Sequence, residues 1–437
     1  MTFIYRIYFG GNQMTYKLYF ANDAGNDSLK GTLFTSNGSE NAKQIFSAGK
    51  DIECPSVIAM KDTLDVTAPV EFSSEAEKDA YMNDFLNHMD VSITSSSVSE
   101  AGRFLVGQAA LDSAMPLTHF DYNDLSGKSE VDLTLLLTLS NLAGQRVLDA
   151  YKNGEDLDNQ LKMDVYMTTA LPISEAKQPN VLKNYRKRYM DNTHIVTFHN
   201  FKNPISVSLQ FKNVFVGLEG EVAFAAIKNA PDIYPELANS IINFLKEKYP
   251  KVADKINNQF IKDIKNAIGF DLGGKTSDCT VITNGKPNIM ASNSMMRGYD
   301  NVLQRSIDYL QTKNYGFDNI RQLQEYLNED ENPFAPGSKE KVIKVVRAAS
   351  EPFADEIVSN ASQTLRKIGT SIKIGFVFGG AAVPMKTTRL YEKLNNKFMS
   401  FNGDQIIPIV WVDGPYAQVL NRMGLVLILK ALMGPKE

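Results

Sequence analysis

The sequence predicts an α/β protein divided into two lobes, and three observations support this prediction. A chain of 437 residues is too long for one ordinary small domain and favours two or more units. Two hairpins of similar design, each with an acidic turn that contains glycine, lie about 250 residues apart at Asp23 and Asp271. The apolar run over 372–378 is continuous, which is typical of a buried strand in a parallel sheet.

The hairpin at Asp271 organises the chain. Apolar residues alternate over 268–272 before the turn, and the strand that returns from it contains Cys279 and Val281. The turn itself supplies two glycines, a lysine and a threonine: Gly273, Gly274, Lys275 and Thr276. Glycines let the backbone approach a ligand closely, and free N–H groups suit a polyphosphate. Because a carboxylate would repel bare phosphate, a phosphate site here would need a cation beside Asp271. The stretch therefore predicts a hairpin that binds a Mg²⁺-nucleotide, and the alternative is an ordinary hairpin with a glycine turn.

The other hairpin lies near the start of the chain and repeats this design. A strand over 16–20 precedes Asp23, and a returning strand covers 31–34. The turn between them is polar, contains one glycine and ends in a lysine: Gly25, Asn26, Asp27, Ser28 and Lys30. Alone, this stretch could equally be an Asx-type turn. Facing each other across a cleft, the two acidic hairpins could share one Mg²⁺-phosphate group.

The composition argues against several classes of protein. A formal net charge of −4 gives no electrostatic footprint for nucleic acid, so we expect no direct nucleic acid binding. The two cysteines, Cys54 and Cys279, are too few for a disulfide framework or a cysteine metal cluster. No apolar run is long enough to span a membrane, so we expect a protein in a reduced, cytosolic setting.

The natural start of the chain has two interpretations. Residues 1–13 do not resemble a secretory signal, because no small-residue cleavage site follows the short apolar part. Codons for Gly10 and Gly11 can spell a bacterial ribosome-binding sequence ahead of Met14, which makes Met14 one hypothesis for the start. The alternative is an ordinary N-terminal strand over 3–9, with Met1 as the start.

Between the two hairpins, the pattern predicts a long helix and several strands. A wide apolar face predicts a helix over 131–153, and a strand follows over 162–167. The basic run over 183–188 is typical of a solvated helix face. Helices over 223–249 are predicted to be interrupted by prolines at 231 and 235.

After the Asp271 hairpin, helices alternate with short strands. In order, the pattern predicts a helix over 300–312, a polar surface stretch over 317–336, a helix over 339–368 with a break at Pro352 left open, a strand over 406–411 and a final helix from Tyr416. The strand over 372–378 ends directly in Gly379, Gly380 and Ala381. Helices between parallel strands are expected in an α/β protein.

This order of parts resembles the actin-like ATPase superfamily. An acidic glycine hairpin, a long helix, a second acidic glycine hairpin and a strand followed by two glycines match its phosphate 1, phosphate 2 and adenosine elements. Within the superfamily the chain is most similar to the ParM family of bacterial plasmid-segregating actins. The matching stretches are Thr-Ala-Leu-Pro-Ile-Ser over 169–174, Gln-Pro-Asn over 178–180, the basic run over 184–188 and Val-Phe-Val-Gly-Leu-Glu over 214–219.

The resemblance implies a role for each matching residue. Asp23, Gly25, Asn26, Ser28 and Lys30 would form the phosphate 1 loop, and Asp271, Gly273, Gly274, Lys275 and Thr276 the phosphate 2 loop. Asp23 and Asp271 would hold Mg²⁺, largely through water. Glu219 would orient the attacking water, with Glu221 as the fallback and a solvated strand-end glutamate as the alternative. Gly298 would lie near the nucleotide, and Gly379, Gly380 and Ala381 would form the adenosine element.

The chain also departs from the family pattern. Lys275 stands where the family usually has threonine or glycine, which could add a phosphate contact or shift the nucleotide preference. Ala381 replaces a third glycine, and Leu218 replaces the proline before the glutamate. These departures leave the fit around the base and the assignment of Glu219 to be tested.

The resemblance implies a two-lobed actin-like fold, which is a duplicated ribonuclease H-like fold, with a nucleotide cleft between the lobes. Lobe I would cover 1–224, with an inserted subdomain at about 36–125, and would be completed by 412–437. Lobe II would cover 225–411.

The implied function is that of an ATPase in the bacterial cytoplasm, with GTP as an alternative nucleotide. Hydrolysis of the nucleotide would be coupled to the assembly and disassembly of filaments. Its partners would be other copies of the chain and a small DNA-binding adaptor at a plasmid centromere, with a phage as an alternative host element. Competing interpretations are a small-molecule kinase of the same superfamily and a non-dynamic scaffold. A DnaK-type chaperone would need a β-rich substrate domain after the ATPase, for which the sequence leaves no room.

Overall fold

The computed structural model describes residues 15–37, 40–62, 68–99, 101–120 and 127–433. The hypothesis about Met1 and Met14 concerns residues outside these ranges. Within them, no helix has both the length and the apolar character needed to cross a membrane.

The strands are β1 Lys17–Ala24, β2 Ser28–Ser36, β3 Lys50–Pro55, β4 Val57–Lys61, β5 Asp90–Thr94, β6 Arg103–Val106, β7 Thr118–His119, β8 Leu161–Leu171, β9 Thr193–Phe198, β10 Ile205–Leu218, β11 Ala267–Leu272, β12 Ser277–Thr283, β13 Lys286–Pro287, β14 Asn293–Met295, β15 Ile374–Phe378 and β16 Ile409–Trp411. The helices are α1 Ala42–Ile45, α2 Glu75–Asn83, α3 Gln108–Leu111, α4 Asp132–Lys152, α5 Ile173–Ala176, α6 Val181–Met190, α7 Glu221–Ile233, α8 Pro235–Lys248, α9 Asn258–Lys262, α10 Tyr299–Gln311, α11 Ile320–Asn328, α12 Ser338–Ile368, α13 Ala382–Met385, α14 Leu390–Phe401, α15 Gly414–Ala417 and α16 Leu420–Met433. Short 3₁₀ turns occupy Phe85–Asn87, Pro250–Lys255 and Gly369–Ser371.

The first sheet contains the hairpin β1–β2 and has the order β3-β2-β1-β8-β10-β9-β5-β6-β4-β7. Strand β8 runs parallel to both β1 and β10. Because the carboxyl ends of parallel strands meet at one edge of a sheet, the residues that follow β1, β8 and β10 lie together. That edge carries Asp23 near the end of β1 and Glu219 directly after β10.

The second sheet contains the hairpin β11–β12 and has the order β13-β12-β11-β15-β16, with β14 also paired to β12. Strand β15 runs parallel to β11 and to β16, and all of its residues are buried. This burial explains why its sequence is continuously apolar. The two sheets, each with its own hydrophobic core and one acidic hairpin, confirm the predicted two-lobed α/β fold.

Two predicted helices of the first lobe are present with close to their predicted bounds. Helix α4 lies in the core, where its leucines pack against the first sheet. Helix α6 carries the basic run, and Lys183 and Lys187 are exposed, as expected for a solvated face. Arg188 differs, because its guanidinium donates to the carbonyl oxygens of Ser129 and Val131 at 2.9 and 3.0 Å.

Prolines and one polar stretch mark places where the structure differs from the sequence prediction or adds to it. Pro231 lies inside α7 and does not interrupt it, whereas Pro235 begins α8, where a missing N–H costs nothing. Pro352 lies inside α12, which continues past it. The stretch over 317–336, predicted as polar surface, contains α11.

Helices α7 and α16 pack against each other and against the first sheet near the junction of the lobes. Val222 of α7 is buried in one cluster with Leu425 and Leu429 of α16. Gly424 faces the backbone of α7 so closely that an added Cβ would lie 1.7 Å from the Val222 carbonyl oxygen. The predicted lobe boundary at 224 and 225 falls inside α7 and stays a prediction.

We expect Gly424→Val to lower the free energy of unfolding by about 2–4 kcal/mol, because the new side chain must push α16 away from α7. Urea denaturation followed by circular dichroism measures this change. Gly316→Ala is the control, since an added Cβ there meets no atom within 4 Å. Equal stability of the Gly424→Val variant and the parent would contradict the close helix contact.

Candidate functional site

The two acidic hairpins both line one cavity of about 730 Å³. Most residues predicted for the site line it: Asp23, Gly25, Asn26, Ser28, Lys30, Glu219, Asp271, Gly273, Gly274, Thr276, Gly379, Gly380 and Ala381. Lys275 and Gly298 lie outside this lining. The structure therefore brings together residues from both sheets, while the role of each one stays a prediction.

The turn of the first hairpin is closed by backbone hydrogen bonds. The Gly25 N–H donates to the carbonyl oxygens of Asp23 and Ser28 at 3.1 and 3.0 Å. The Ser28 hydroxyl donates to Glu53 Oε1 at 2.7 Å, and Lys30 Nζ lies 3.8 Å from the same oxygen. Glu53 was not predicted, and it holds both polar side chains at the cavity wall.

The second hairpin is held by the start of α10, which also lines the cavity. The N–H groups of Tyr299 and Asp300 donate to the carbonyl oxygens of Gly273 and Gly274, both at 3.0 Å. Gly298 leaves room for this contact, because an added Cβ would lie 1.9 Å from the Gly274 carbonyl oxygen. Gly298 thus shapes the hairpin from outside the cavity.

The turn after β15 packs directly under Asp271. Gly379 has a φ of +94°, and an added Cβ would lie 2.5 Å from Asp271 Oδ1, so a side chain at this position is excluded by both backbone and space. The Ala381 N–H donates to the Leu272 carbonyl oxygen at 2.8 Å. These contacts fix the predicted adenosine element to the phosphate 2 hairpin.

Asp23 and Asp271 come from different sheets, but the charges of Glu219 and Lys128 act on both of them. Burial raises the pKa of Asp23 to about 6, and the negative charge of Glu219 adds to this effect. Burial raises the pKa of Asp271 to about 7, again assisted by Glu219, while a hydrogen bond from Asn421 acts in the opposite direction. The carboxylates therefore belong to one electrostatic unit, as a shared cation would require.

Two carboxylates from two lobes suit Mg²⁺, which keeps several of its waters and takes further ligands from phosphate. No group of three or more acidic, histidine or cysteine side chains in the described residues could hold a metal alone.

Two further buried carboxylates were missed. Asp278 is paired with Asp271 across the hairpin, its side chain is buried, and its pKa is raised to about 8, chiefly by burial. Asp300 lies beside Gly274, and burial, with the nearby charge of Asp27, raises its pKa to about 7. Counting the hairpin register from Asp271 would have placed Asp278 on the same side of the sheet.

Asn421 of α16 connects the floor of the cavity to both lobes. Its Nδ2 donates to Asp271 Oδ2 at 2.7 Å, and its Oδ1 accepts a hydrogen bond from the Gly220 N–H at 3.2 Å. The final helix predicted from Tyr416 included this residue, but its amide gave no local signal of a role in the site.

Lys128 was missed because it lies in a polar stretch, over 118–128, that matches no motif. Its Nζ lies 2.8 Å from Glu219 Oε1, and both side chains are about one-tenth exposed, at 11% and 10%. Glu219 is thus an ion-paired, buried residue, and the alternative of a solvated strand-end glutamate is not what the structure shows.

Helix α11 supplies a further wall of the cavity that the sequence analysis did not expect. The residues that line it are Arg321, Gln324, Glu325, Leu327 and Asn328. The Asn319 side chain caps the helix by accepting from the Gln322 N–H, and Leu323 is buried beneath it. An Asn cap followed by apolar residues at 320, 323 and 327 was the available signal.

Without nucleotide, the buried carboxylates should make the protein more stable at mildly acidic pH. Asp271 titrates at about 7 in the fold but near 3.8 when exposed, so between these values the folded chain binds a proton that the unfolded chain has lost. Its stabilising contribution is fully present below pH 3.8 and is lost as the pH rises through about 7.

We therefore expect Asp271→Asn to remove a slope of about 1 kcal/mol per pH unit from the stability between about pH 5 and 7. Denaturant titrations at each pH measure it. Asp254→Asn, on an exposed residue, is the control and should keep the parental slope. An identical slope in the Asp271→Asn variant would contradict the burial of this carboxyl group.

We expect Asn421→Ala to lower the free energy of unfolding by about 2 kcal/mol, because two buried partners lose their hydrogen bond. Asn203→Ala is a matched control, since Asn203 makes a similar bond to Asp158 at 3.0 Å on the surface. That control should change stability by less than about 0.5 kcal/mol. Equal losses in both variants would show that Asn421 does not join the lobes.

Comparison with known proteins supports this architecture. The C-terminal family model of MreB-like archaeal actin homologues matches residues 269–389. In sequence the chain matches no curated protein.

Three solved structures superpose on nearly the whole chain. The actin-like protein Alp7A is 16% identical with a TM-score of 0.65, covering 95% of this chain and 97% of its own. Bacillus thuringiensis ParM with ATP is 13% identical with a TM-score of 0.57, covering 95% and 99%. Ta0583, an archaeal actin homologue, is 12% identical with a TM-score of 0.55, covering 95% and 99%. The chain therefore has the fold of the actin-like ATPase superfamily and resembles ParM proteins in structure, as its sequence predicts.

Proposed function

We propose that this chain is an actin-like protein that hydrolyses ATP, or GTP, and polymerises into filaments that segregate plasmid or phage DNA. The observation that carries the proposal is the placement of Asp23 and Asp271, from different sheets, on the walls of one cavity. A cleft lined by glycine hairpins and carboxylates from both lobes suits a magnesium triphosphate that touches both lobes.

Each hairpin would hold part of the triphosphate. Backbone N–H groups of the two turns, with Ser28, Lys30 and Thr276, would bind the β- and γ-phosphates, which need positioning and charge neutralisation more than covalent chemistry. Asp23 and Asp271 would hold Mg²⁺ through water, and the bound ion would neutralise charge on the phosphate oxygens.

Glu219 would accept a hydrogen bond from the attacking water and orient it toward the γ-phosphate. It lies at the carboxyl edge of the first sheet, where its N–H donates to the Leu171 carbonyl oxygen at 3.0 Å. Its own carbonyl oxygen accepts a hydrogen bond from the Thr280 hydroxyl of the second sheet at 3.3 Å. Glu219 is therefore fixed by both lobes, and a change in their angle would move it.

Filament assembly would follow from the closure of the cleft. Because the hairpins lie on separate lobes, a γ-phosphate held by both would tether them, and its loss would loosen them. Closure would control contacts between copies of the chain in an open head-to-tail assembly. A DNA-bound adaptor at a plasmid centromere would connect the filament to its cargo in the bacterial cytoplasm.

The structural neighbours support this proposal by their own properties. Bacillus thuringiensis ParM has been solved with ATP, ADP and AMPPNP. A pCBH ParM quadruple mutant is described as non-polymerisable, and it is 17% identical to this chain with a TM-score of 0.54. These proteins share the fold of the chain, and the experiments below test whether they share its chemistry.

The main test is light scattering of the purified chain with Mg-ATP or Mg-GTP, with phosphate release followed in parallel. We expect scattering to rise on addition of one triphosphate and to fall as phosphate is released. If no nucleoside triphosphate raises the scattering at concentrations well above micromolar, the filament proposal is wrong. Release of phosphate without scattering would favour another role within the superfamily.

We expect Glu219→Ala to assemble but to disassemble slowly, because hydrolysis loses the group that orients water. Phosphate release should fall by about 100-fold or more. Glu221→Ala is the matched control, since Glu221 begins α7 two residues away and should keep a rate near that of the parent. Parental phosphate release from the Glu219→Ala variant would show that Glu219 has been assigned wrongly.

A further inference from the structure

We propose that Lys128 is a further substrate-binding residue of this site, which contacts the terminal phosphate of a bound triphosphate and positions Glu219 through their ion pair. The proposal rests on the function proposed above. It implies that the site distinguishes a triphosphate from a diphosphate through the ammonium group of Lys128.

The position of Lys128 is unusual for a loop lysine. Its ammonium group is at a wall of the cavity, 2.8 Å from Glu219 Oε1, and its side chain is only 11% exposed. Removing a lysine from water is costly unless its charge is matched by partners. A single hydrogen-bonded carboxylate leaves two of its three N–H donors available to a ligand.

The backbone that carries Lys128 is held by a buried glutamate. The carboxylate of Glu175 accepts hydrogen bonds from the N–H groups of Lys128 and Ser129, both at 2.9 Å. Glu175 is itself 7% exposed, and an added Cβ on Gly127 would lie 2.2 Å from its carboxylate. The segment therefore packs onto Glu175 without space for adjustment.

A second charged group holds the same segment from the other side. Arg188 donates to the carbonyl oxygens of Ser129 and Val131, and it pairs with Asp132 at the start of α4. A loop that only connected two elements would not need a buried glutamate and an arginine to fix its backbone. Such support is expected where a side chain must be placed accurately for a ligand.

The charges around Lys128 indicate which ligand it serves. Its positive charge acts on the carboxylates of Asp23, Asp271 and Asp278, and each of them is also affected by the charge of Glu219. Lys30 and Arg422 also act on Asp23. An anionic ligand that enters this cluster needs cations to offset the negative charge of the carboxylates. Lys128 is a buried cation that is already in place.

The ion pair with Glu219 determines which phosphate of the nucleotide lies within reach of Lys128. A residue that orients the attacking water must lie next to the terminal phosphate, on the side away from the leaving group. A cation that touches Glu219 is consequently close to the terminal phosphate oxygens and farther from the β-phosphate. A diphosphate would leave Lys128 paired with Glu219 alone.

Lys128→Met tests this proposal, because methionine keeps most of the side-chain volume and removes the charge. We expect the dissociation constant of a non-hydrolysable Mg-ATP analogue to rise about tenfold or more, while that of Mg-ADP changes by less than about threefold. At saturating ATP, kcat should also fall about tenfold. Lys128→Arg keeps the charge and should recover most of the affinity for the triphosphate.

The measurements use the full chain below its assembly concentration, and Lys162→Met, on an exposed lysine, controls for the change in net charge. If Lys128→Met weakens triphosphate and diphosphate equally, or neither, the proposal is wrong. If the parent chain binds no nucleotide, the proposed function itself fails. If the Lys128→Met variant does not fold, Glu175→Gln replaces it, and unchanged selectivity for triphosphate in that variant overturns the proposal.

Discussion

The structure depends on the gathering of several carboxylates in one cleft with little access to water. Asp23, Glu219 and Asp271 line this cleft and come from two sheets. The negative charge of Glu219 helps to raise the pKa of Asp23, of Asp271 and of the buried Asp278 beside it. Burying like charges is unfavourable, so a fold retains such a cluster only if something offsets it. Here Lys128 offsets part of the charge, and the Mg²⁺ ion of the proposed nucleotide complex would offset part of the rest.

The backbone around the cleft is arranged to allow this crowding. Gly379 and Gly298 have no room for a side chain, and each brings a neighbouring segment against the hairpin of Asp271. Parallel pairing places Asp23 and Glu219 at the same edge of the first sheet although they are far apart in sequence. Sheet topology sets the coarse positions of these groups, and close glycine contacts then set the fine ones.

The sequence predicted those parts of the site whose signals are local. Each hairpin combines an acid, a glycine and small polar residues within a few positions, and β15 is a continuous apolar run followed by glycines. Lys128, Asn421 and Asp300 have no such local context, because their roles arise only when loops and helices from distant positions meet. Helix α11 was missed for another reason, since its polar surface faces the cleft and only a narrow apolar stripe, centred on Leu323, is buried.

The basic run on α6 shows how one pattern can contain two roles. Lys183 and Lys187 are solvated, whereas Arg188, on the same helix, holds the segment that carries Lys128. Charge alone cannot separate them, because burial of a guanidinium depends on which carbonyl groups lie within its reach.

The contacts of Asn421 bear on how the protein is made in a cell. The residue lies 150 positions after Asp271 and 201 after Gly220, yet it hydrogen-bonds to both. Since synthesis proceeds from the N-terminus, a nascent chain can fold its first sheet long before α16 has emerged from the ribosome. This part of the cleft is completed only after α16 has been synthesised, so a nascent chain that has not reached residue 421 lacks this link between its lobes.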